Sequence, residues 1–502
     1  MSDPTASLLP FFDLPENLIL DLKRMNPWWE GKPLPVLPWT RRHLVRQIRH
    51  RLNLRLAPIV VVRGPRQIGK TTAQMQVVRD LLDEGVPPRN IFRLQADELP
   101  QLAAATEPIL RLMDWYEGAV LGGTLNEVAH RGEPTYLFFD EVQNLRDWAP
   151  QLKSLVDHST TQVVLTGSSA LRIEIGRDSL AGRIHSIEAG VLSLTEVADF
   201  HNLDLGRPLL GDNGLDHIAE LDFWHQARRA GLQRAEARDE AFRRFARRGG
   251  YPIVHSRWDV DWSYLKDQIN ETVIKRVIQH DLRLGERGRK RDPQLLEEVF
   301  RLGCRYVGQA PTPKLLAQEV HESLGANVGP ERVRQYLRFL GDTLLLRLIP
   351  PLEIRLKRTK GQPKLCLADH ALRSSWLQEE VPIEPDDLRQ NPELTPLAGR
   401  LAESIVGTAL SSISNLDLTH LPERADQPEV DFVLTLGLRR IPLEVKYRRQ
   451  IDPFDDTEGL RRFIEKAANK ASFGILVTQT DTEAVLDPRI VALPLSSLLM
   501  LR

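Results

Sequence analysis

The chain has 502 residues with 67 basic and 68 acidic side chains, so its formal net charge is −1. This length exceeds what one hydrophobic core usually supports, so three or four domains are expected, and the near-zero charge excludes recruitment of an anionic partner by the overall field. Two cysteines, Cys304 and Cys366, exclude a disulfide framework and form no zinc-binding pattern. Because no apolar run approaches the roughly 18 residues of a membrane span and no signal peptide is recognisable, we expect a cytoplasmic protein with no membrane partner.

The first part of the chain has the pattern of an α/β domain. After a proline-rich start, apolar residues four apart predict a helix over Arg41–Arg55. Short apolar runs then alternate with amphipathic stretches, which is typical of a parallel sheet with helices between its strands. We assign residues 1–57 to an N-terminal extension and helix, and residues 58–200 to the α/β core. The predicted strands of this core are Ile59–Arg63, Ile91–Leu94, Tyr136–Phe139 and Val163–Thr166.

The second part of the chain changes character twice. Residues 201–290 are helical and charged, without strand-like runs. Residues 291–360 combine short helices with the apolar run Leu344–Ile349, which predicts a winged helix-turn-helix. Residues 361–502 predict a further α/β domain. Its predicted elements are a helix near Leu397–Ile413, strands around a turn at Gly437, another helix, and a strand at Gly474–Thr478.

A phosphate-binding motif follows the first predicted strand. The sequence Gly64-Pro65-Arg66-Gln67-Ile68-Gly69-Lys70-Thr71 matches G-x-x-x-x-G-K-[ST], and the next helix starts near Thr72. Its glycines let backbone N–H groups surround phosphate oxygens, and the helix N-terminus adds a favourable dipole. In this motif Lys70 contacts the β- and γ-phosphates, and the Thr71 hydroxyl binds magnesium. The motif therefore predicts an ATPase that binds ATP with Mg²⁺.

Two carboxylates end the strand Tyr136–Phe139. A strand end beside the phosphate loop is where a magnesium-binding carboxylate belongs, which assigns that role to Asp140. Glu141 comes next and is predicted to polarise the attacking water as general base. A solvated turn is the alternative for an isolated acidic pair, but the complete phosphate loop upstream favours the catalytic interpretation.

Hydroxyl groups and arginines after the next strand supply further candidates. A strand between the two just described would bring Thr166 or Ser168 to the γ-phosphate or the lytic water, although a helix cap is the alternative. Downstream, Arg183 is a candidate for stabilising transition-state charge, in cis or across a subunit interface. Arg172 and Arg177 compete for this role, and a surface salt bridge is the alternative for each of these arginines.

Together these motifs resemble the AAA-type ATPases of bacteria and archaea that carry a C-terminal restriction-endonuclease-like domain. The resemblance implies an AAA-type core over 58–200 and a helical lid over 201–290, in which Pro252 would pack against the adenine. An ordinary loop between helices is the alternative for Pro252. The motifs that carry the resemblance are Asn26-Pro27-Trp28-Trp29, Gly64–Thr72, Asp140-Glu141-Val142-Gln143, Asp147-Trp148 with Lys153, Thr166-Gly167-Ser168-Ser169, Leu180-Ala181-Gly182-Arg183 and Gly249-Gly250-Tyr251-Pro252.

The C-terminal part of the resemblance is a PD-(D/E)XK constellation. Glu444 and Lys446 are two apart on a predicted strand and so share one face, and Asp431 on the neighbouring strand can join them. Two carboxylates and a lysine at one point can hold magnesium and stabilise phosphodiester cleavage. The resemblance makes Glu403 the acid of the preceding helix, whereas Val430 departs from the proline of the family pattern. Such domains also persist as binding modules, so nuclease activity remains open.

The sequence predicts DNA as a partner on the combined presence of ATPase, winged helix and nuclease-like domain. Basic clusters are also present, although charged runs are usually solvated faces. The favoured function is ATP hydrolysis coupled to DNA binding or remodelling, including translocation on branched or damaged duplex. The resemblance suggests a homo-oligomeric ring, although the relatives of this family also include monomeric switches. The alternatives are a nucleotide-dependent switch that recruits proteins and an ATP-regulated nuclease. The clusters are Arg41–Arg55, Arg228–Arg248, Arg283–Arg291 and Arg355–Lys364.

Overall fold

A computed structural model describes residues 14–103, 105–167, 180–211, 215, 217–279, 292–353, 361–423, 429–482 and 485–502. Contacts divide the chain into two units. The first unit comprises Met1–Gly64 and Gly69–Ala189, and the second comprises Pro65–Ile68 and Gly190–Arg502. In the described part of the chain, no helix is long and apolar enough to cross a membrane.

The first unit is built on a parallel sheet with the strand order β2-β3-β4-β1-β5. The predicted parallel α/β core is confirmed, and each predicted strand is found to within a residue or so of its ends. In the four strands other than β5, most apolar side chains are almost fully buried, which explains why short continuous runs of Val, Ile, Leu and Phe form them. The strands are β1 (Ile59–Arg63), β2 (Ile91–Gln95), β3 (Tyr136–Asp140), β4 (Gln162–Gly167) and β5 (Ile184–Glu188).

Helices pack around this sheet and complete its core. The predicted helix over Arg41–Arg55 is confirmed as α2, with Leu44, Ile48 and Leu52 buried. Ser168 and the competing Arg172 and Arg177 lie outside the described residues. The helices described in this unit are α1 (Glu16–Met25), α2 (His43–Leu54), α3 (Lys70–Asp83), α4 (Pro100–Ala103), α5 (Pro108–Tyr116), α6 (Leu125–His130) and α7 (Trp148–Asp157).

The Asn-Pro-Trp-Trp motif covers the outer edge of strand β2. The Asn26 side chain donates to the Arg93 carbonyl (2.8 Å) and accepts from the Arg93 N–H (2.7 Å). It also donates to the Leu22 carbonyl (2.8 Å). The indole N–H groups of Trp28 and Trp29 both donate to the Ile91 carbonyl, at 3.0 and 2.8 Å. The motif thus satisfies backbone groups that an edge strand would otherwise leave without partners.

The segment predicted to be helical, residues 201–290, contains helices and no strand in its described part. The helices α14 to α16 are followed by an antiparallel pair of strands, β6 (Leu346–Ile349) and β7 (Lys364–Leu367). Strand β7 lies beyond residue 360, the predicted end of the winged segment. The helices described before β6 are α8 (Leu194–Phe200), α9 (Leu221–Gln233), α10 (Ala235–Arg248), α11 (Pro252–Ser256), α12 (Trp262–Ile269), α13 (Arg276–Gln279), α14 (Pro293–Arg305), α15 (Pro313–Leu324) and α16 (Pro330–Asp342).

A second sheet, with the order β12-β11-β10-β9-β8, ends the chain. Strands β8 to β10 are antiparallel, whereas β10 to β12 are parallel. Gly437 has φ +61° in the tight turn between β9 and β10, which confirms the predicted turn. The strands are β8 (Asp417–Leu421), β9 (Val430–Leu436), β10 (Arg439–Lys446), β11 (Gly474–Thr478) and β12 (Ile490–Pro494). The accompanying helices are α17 (His370–Leu377), α18 (Pro385–Arg389), α19 (Thr395–Ser411), α20 (Glu458–Glu465) and α21 (Leu495–Leu498).

Candidate nucleotide site

The carboxyl ends of three neighbouring strands bring Gly64, Asp140 and Thr166 together. Strand β4 lies between β1 and β3, as the sequence predicts for the strand ending at Thr166. Asp140 and Thr166 are directly paired across β3 and β4, and Gly64 follows the end of β1. Because parallel strands end at the same edge of a sheet, these residues share one face of the first unit.

Asp140 is the centre of the polar contacts at this edge. Its side chain is 2% exposed. One carboxylate oxygen accepts the Thr71 hydroxyl (2.5 Å), and the other accepts the Thr166 hydroxyl and the backbone N–H of Glu141 (3.1 Å). The Gln74 amide in turn donates to the Thr166 oxygen (3.2 Å). These contacts fix the orientation of the carboxylate, which is the arrangement that a magnesium-binding group requires.

Two residues of the phosphate loop have a left-handed backbone conformation. Gln67 and Gly69 have φ values of +62° and +85°, in the left-handed region that favours glycine. Helix α3 starts at Lys70, whose ammonium donates to the Gly64 carbonyl at the start of the loop (2.9 Å). The adjacent oxygens of Thr71 and Asp140 fit a hard cation such as Mg²⁺. Phosphate oxygens of the nucleotide would complete the coordination shell of this ion.

Glu141 directly follows the end of strand β3. Its φ of +51° places it in the left-handed region, and its carboxylate accepts a hydrogen bond from the Gln143 amide. A residue in this conformation turns the chain sharply at the end of β3. The Glu141 side chain therefore does not continue the alternation of side chains along the strand that ends at Asp140. Its role as general base stays a prediction.

Arg93 also lies beside Asp140 and was not singled out by the sequence reasoning. It lies on β2 with its side chain 7% exposed, and its guanidinium is 3.9 Å from the Asp140 carboxylate and 2.9 Å from the Gln95 amide oxygen. Burial lowers the pKa of Arg93, although Asp140 acts in the opposite direction. A charged residue within the apolar run Ile91–Leu94 was the available signal, because burying an arginine is costly unless it is paired.

Arg183 lies away from this edge. It directly precedes β5, and its backbone carbonyl accepts from the N–H of Ile59, the first residue of β1. Since β1 and β5 are parallel, Arg183 lies at the amino edge, opposite the phosphate loop. Its guanidinium makes two hydrogen bonds to Asp157 at 2.5 and 2.9 Å. This geometry does not support the predicted role in cis, and the role across a subunit interface stays a prediction.

Pro252 is the first residue of helix α11, in a segment whose two glycines are packed tightly. Gly249 has φ +75°, and a Cβ there would lie 2.1 Å from the Asp369 carboxylate. The same carboxylate accepts the Gly250 N–H at 2.5 Å. These contacts explain the glycines of the Gly-Gly-Tyr-Pro sequence by the approach of Asp369. Pro252 is half-buried, and its contact with adenine stays a prediction.

Two histidines next to this segment form a directed hydrogen-bond chain. Arg244 donates to Nδ1 of His201 (2.7 Å), so Nε2–H of His201 donates to Nδ1 of His255 (3.0 Å). Nε2–H of His255 then donates to the Gly249 carbonyl (2.7 Å). Burial lowers the pKa of His255 to about 3 and, together with Arg244, that of His201 to about 4. Both imidazoles are therefore neutral at physiological pH.

The predicted C-terminal carboxylates meet in the second unit, around a lysine that the sequence reasoning missed. The Lys364 ammonium on β7 donates a hydrogen bond to the Glu403 carboxylate on α19 and lies 3.1 Å from the Asp431 carboxylate on β9. On β10, Lys446 donates to Glu444 at 2.9 Å. The structure thus brings Glu403 and Asp431 together and places the predicted pair Glu444 and Lys446 on the neighbouring strand.

Burial and charge set the protonation of this cluster. Burial raises the pKa of Glu444 to about 8 and, with Asp431, raises that of Glu403. For Asp431, burial acts upward, but the Lys364 ammonium and the Val445 N–H hold the pKa below its usual value. Burial acts to lower the pKa of Lys364, but Asp431 and Glu403 raise it above the ordinary value. Asp431 and Lys364 are therefore a charged pair within a buried site.

Three segments of the chain match known family profiles. Residues 57–198 match an AAA domain. Residues 239–381 match a domain of unknown function, DUF8612, and residues 398–498 match another, DUF4143. The first match coincides with the parallel sheet and its phosphate loop.

Two bacterial proteins are similar in sequence to this chain over more than half of its length. An uncharacterized protein of Mycobacterium tuberculosis, Rv2008c, is 22% identical over 79% of this chain and 72% of its own. An uncharacterized protein of Haemophilus influenzae is 22% identical over 63% of this chain and 68% of its own.

Solved structures of ATPases are also similar, at low scores. The Walker-type ATPase PABY2304 of Pyrococcus abyssi is 13% identical, with a TM-score of 0.39 over 68% of this chain and 99% of its own. The RuvB Holliday junction branch migration motor of Thermotoga maritima is 15% identical, with a TM-score of 0.28 over 68% of this chain and 97% of its own. The family match and the phosphate-loop geometry lead to one conclusion: residues 57–198 form an AAA-type P-loop ATPase domain.

Proposed function

We propose that this chain hydrolyses ATP at the carboxyl edge of its first sheet and couples the reaction to DNA binding or remodelling. The observation that carries the ATPase part is the shared contact of Thr71 and Thr166 with Asp140 directly beside the phosphate loop. An oxygen pair at this position holds Mg²⁺ in P-loop ATPases. Bound there, Mg²⁺ would neutralise charge on the β- and γ-phosphates.

The residues of the loop and of the neighbouring strand ends then have distinct roles in phosphoryl transfer. The backbone N–H groups of residues 64–72 bind phosphate oxygens, and Lys70 exchanges its contact with the Gly64 carbonyl for the β- and γ-phosphates. Thr166 holds Asp140 in place, and Glu141 accepts a proton from the attacking water. An arginine from a second copy, such as Arg183, completes the site in a homo-oligomer.

DNA is favoured as the partner by the exposed face of helix α16. The third helix of a helix-turn-helix-like group enters the major groove in many DNA-binding proteins. On α16, Arg332, Gln335 and Arg338 are exposed at intervals of three residues, so they share one face of the helix. Arginine is the side chain that most often contacts phosphates and guanine edges.

The first test is ATP hydrolysis by the wild type and by Glu141→Gln. The variant should keep ATP affinity and lose turnover by about a hundredfold or more, since a general base contributes roughly 10²–10⁴ in rate. Loss of ATP binding together with turnover would instead assign Glu141 a structural role. Turnover by Glu141→Gln at the wild-type rate would refute its assignment as base.

The second test separates the DNA-coupled function from its rivals. ATP turnover is measured with duplex, single-stranded and four-way-junction DNA at two salt concentrations. Stimulation by one DNA form that weakens with salt supports coupling to DNA. A rate that no DNA changes would refute coupling and favour the protein-recruiting switch.

The exposed face of α16 gives this test a matched control. Replacing both Arg332 and Arg338 by alanine should reduce the salt dependence of DNA binding by about two charges. Arg334→Ala is the control, because Arg334 on the same helix is already paired with Glu331. Equal DNA affinity in the double variant and the wild type would show that α16 does not contact DNA.

A further inference from the structure

Lys364 is buried among the acids of the C-terminal cluster. Its side chain is 1% exposed, and its ammonium contacts Glu403, Asp431 (3.1 Å) and Glu429 (3.5 Å). It also lies 5.2 Å from the centre of the Phe432 ring. An ammonium ion is stable in such a place only when carboxylates surround it. Lys364 therefore has the environment expected of a bound cation.

Two ammonium groups and a backbone N–H already engage four carboxylate oxygens of this cluster. One oxygen of Asp431 accepts from Lys364, and the other accepts the Val445 N–H at 2.9 Å. The Glu403 oxygen Oε1 also binds Lys364, and Oε1 of Glu444 accepts from Lys446. In the described ranges, no group of three or more His, Cys, Asp or Glu residues is arranged to hold a metal ion.

The second carboxylate oxygen of Glu444 differs from the oxygens just described. Oε2 of Glu444 is buried and has no hydrogen-bond partner among the residues that the structure describes. A Cβ at Gly459, at the start of α20, would lie 3.8 Å from it, so this helix borders this oxygen. Mg²⁺ requires octahedral oxygen ligands, and the nearby ammonium of Lys364 would repel it. The residues present therefore do not fit a divalent cation.

We infer that Lys364 is the resident cation of this cluster, and that the C-terminal site binds no divalent metal and does not carry out metal-dependent cleavage of nucleic acids. The lysine instead links three elements, because β7 supplies the ammonium while α19 and β9 supply its acids. The cluster thereby ties the two-stranded β6–β7 sheet to the C-terminal sheet. This inference is independent of ATP hydrolysis at the first sheet.

The experiment is a titration of the full chain with Mn²⁺ in the absence of nucleotide, followed by the paramagnetic resonance of the free ion. The wild type and Asp431→Asn should bind Mn²⁺ identically, because the wild-type cluster offers no site. Lys364→Met should gain an additional Mn²⁺ per chain, and the double variant with Asp431→Asn should lose it. Mn²⁺ should also raise the melting temperature of Lys364→Met but not that of the wild type.

A matched control and a second readout keep the inference refutable. Lys266→Met removes another buried lysine, which pairs with Glu380 at 2.8 Å outside the cluster, and should gain no Mn²⁺. If Lys364→Met does not fold, the comparison of the wild type with Asp431→Asn decides alone. Mn²⁺ binding that Asp431→Asn abolishes, or a folded Lys364→Met that binds no additional Mn²⁺, would overturn the inference. Mg²⁺- or Mn²⁺-dependent DNA cleavage that Glu444→Ala abolishes would overturn it as well.

Discussion

Removal of the Asn26 side chain should loosen the edge strand of the ATPase sheet. Asn26→Ala leaves three buried backbone groups without partners: the N–H and carbonyl of Arg93 and the carbonyl of Leu22. Each such group costs about 1–3 kcal/mol, and entering water recovers part of this, so we expect a loss of about 3 kcal/mol. Trp29→Phe is the matched control, because Trp28 still donates to the Ile91 carbonyl, and it should cost about 1 kcal/mol.

Amide hydrogen exchange at strand β2 measures this effect locally, which matters because a chain of two units need not unfold in one step. A loss of about 3 kcal/mol corresponds to roughly hundredfold faster exchange at the Arg93 amide. The exchange of β11 in the second unit serves as the internal reference. If a folded Asn26→Ala variant exchanged Arg93 at the wild-type rate, the hydrogen bonds of Asn26 would not hold the strand.

Three further predictions concern the glycine segment, the histidines and the nucleotide site. Gly249→Ala should destabilise the chain by about 3 kcal/mol or more in denaturant unfolding, because it combines left-handed strain with a clash against Asp369; an unchanged midpoint would contradict this. His255 has a folded-state pKa depressed from 6.5 to about 3, so the unfolded chain binds more protons, and stability should fall by about 1.4 kcal/mol per unit as the pH decreases below about 6.5. His255→Asn should show a shallower slope over the same range, and equal slopes would refute the assignment. Thr166→Val should lower ATP turnover by about tenfold to a hundredfold with little change in ATP affinity, because Asp140 loses one orienting bond; wild-type turnover would refute that role.

The strands of the first unit could be predicted where both faces of a strand are buried, because the sequence of such a strand is a continuous apolar run. The run Ile59–Arg63 is a strand over the same residues, because each apolar side chain enters the core. The edge strand Ile184–Glu188 was missed, since only Ile187 is fully buried and the run therefore lacks an apolar pattern. The other side chains of this strand are only partly buried, so its composition resembles that of a loop.

The candidate site was predictable where residues follow strand ends, and not where distant residues meet. Asp140 and Thr166 lie at the ends of two neighbouring parallel strands. The alternation of strands and helices in the sequence indicates a parallel sheet, in which such strand ends meet at one edge. Lys364 lies 39 residues from Glu403 and 67 from Asp431, so no local spacing connects it with them. Such contacts depend on tertiary packing, which residue patterns along a single sequence do not reveal.

The Asn-Pro-Trp-Trp segment has a practical consequence for work on the ATPase domain. The family match begins at residue 57, whereas the residues that cover β2 precede it. A fragment cut at this boundary would present the Ile91 carbonyl and both backbone groups of Arg93 as a free docking edge for another strand. Residues 26–29 therefore cover this edge, and we expect a fragment of the domain that lacks them to aggregate more readily than one that keeps them.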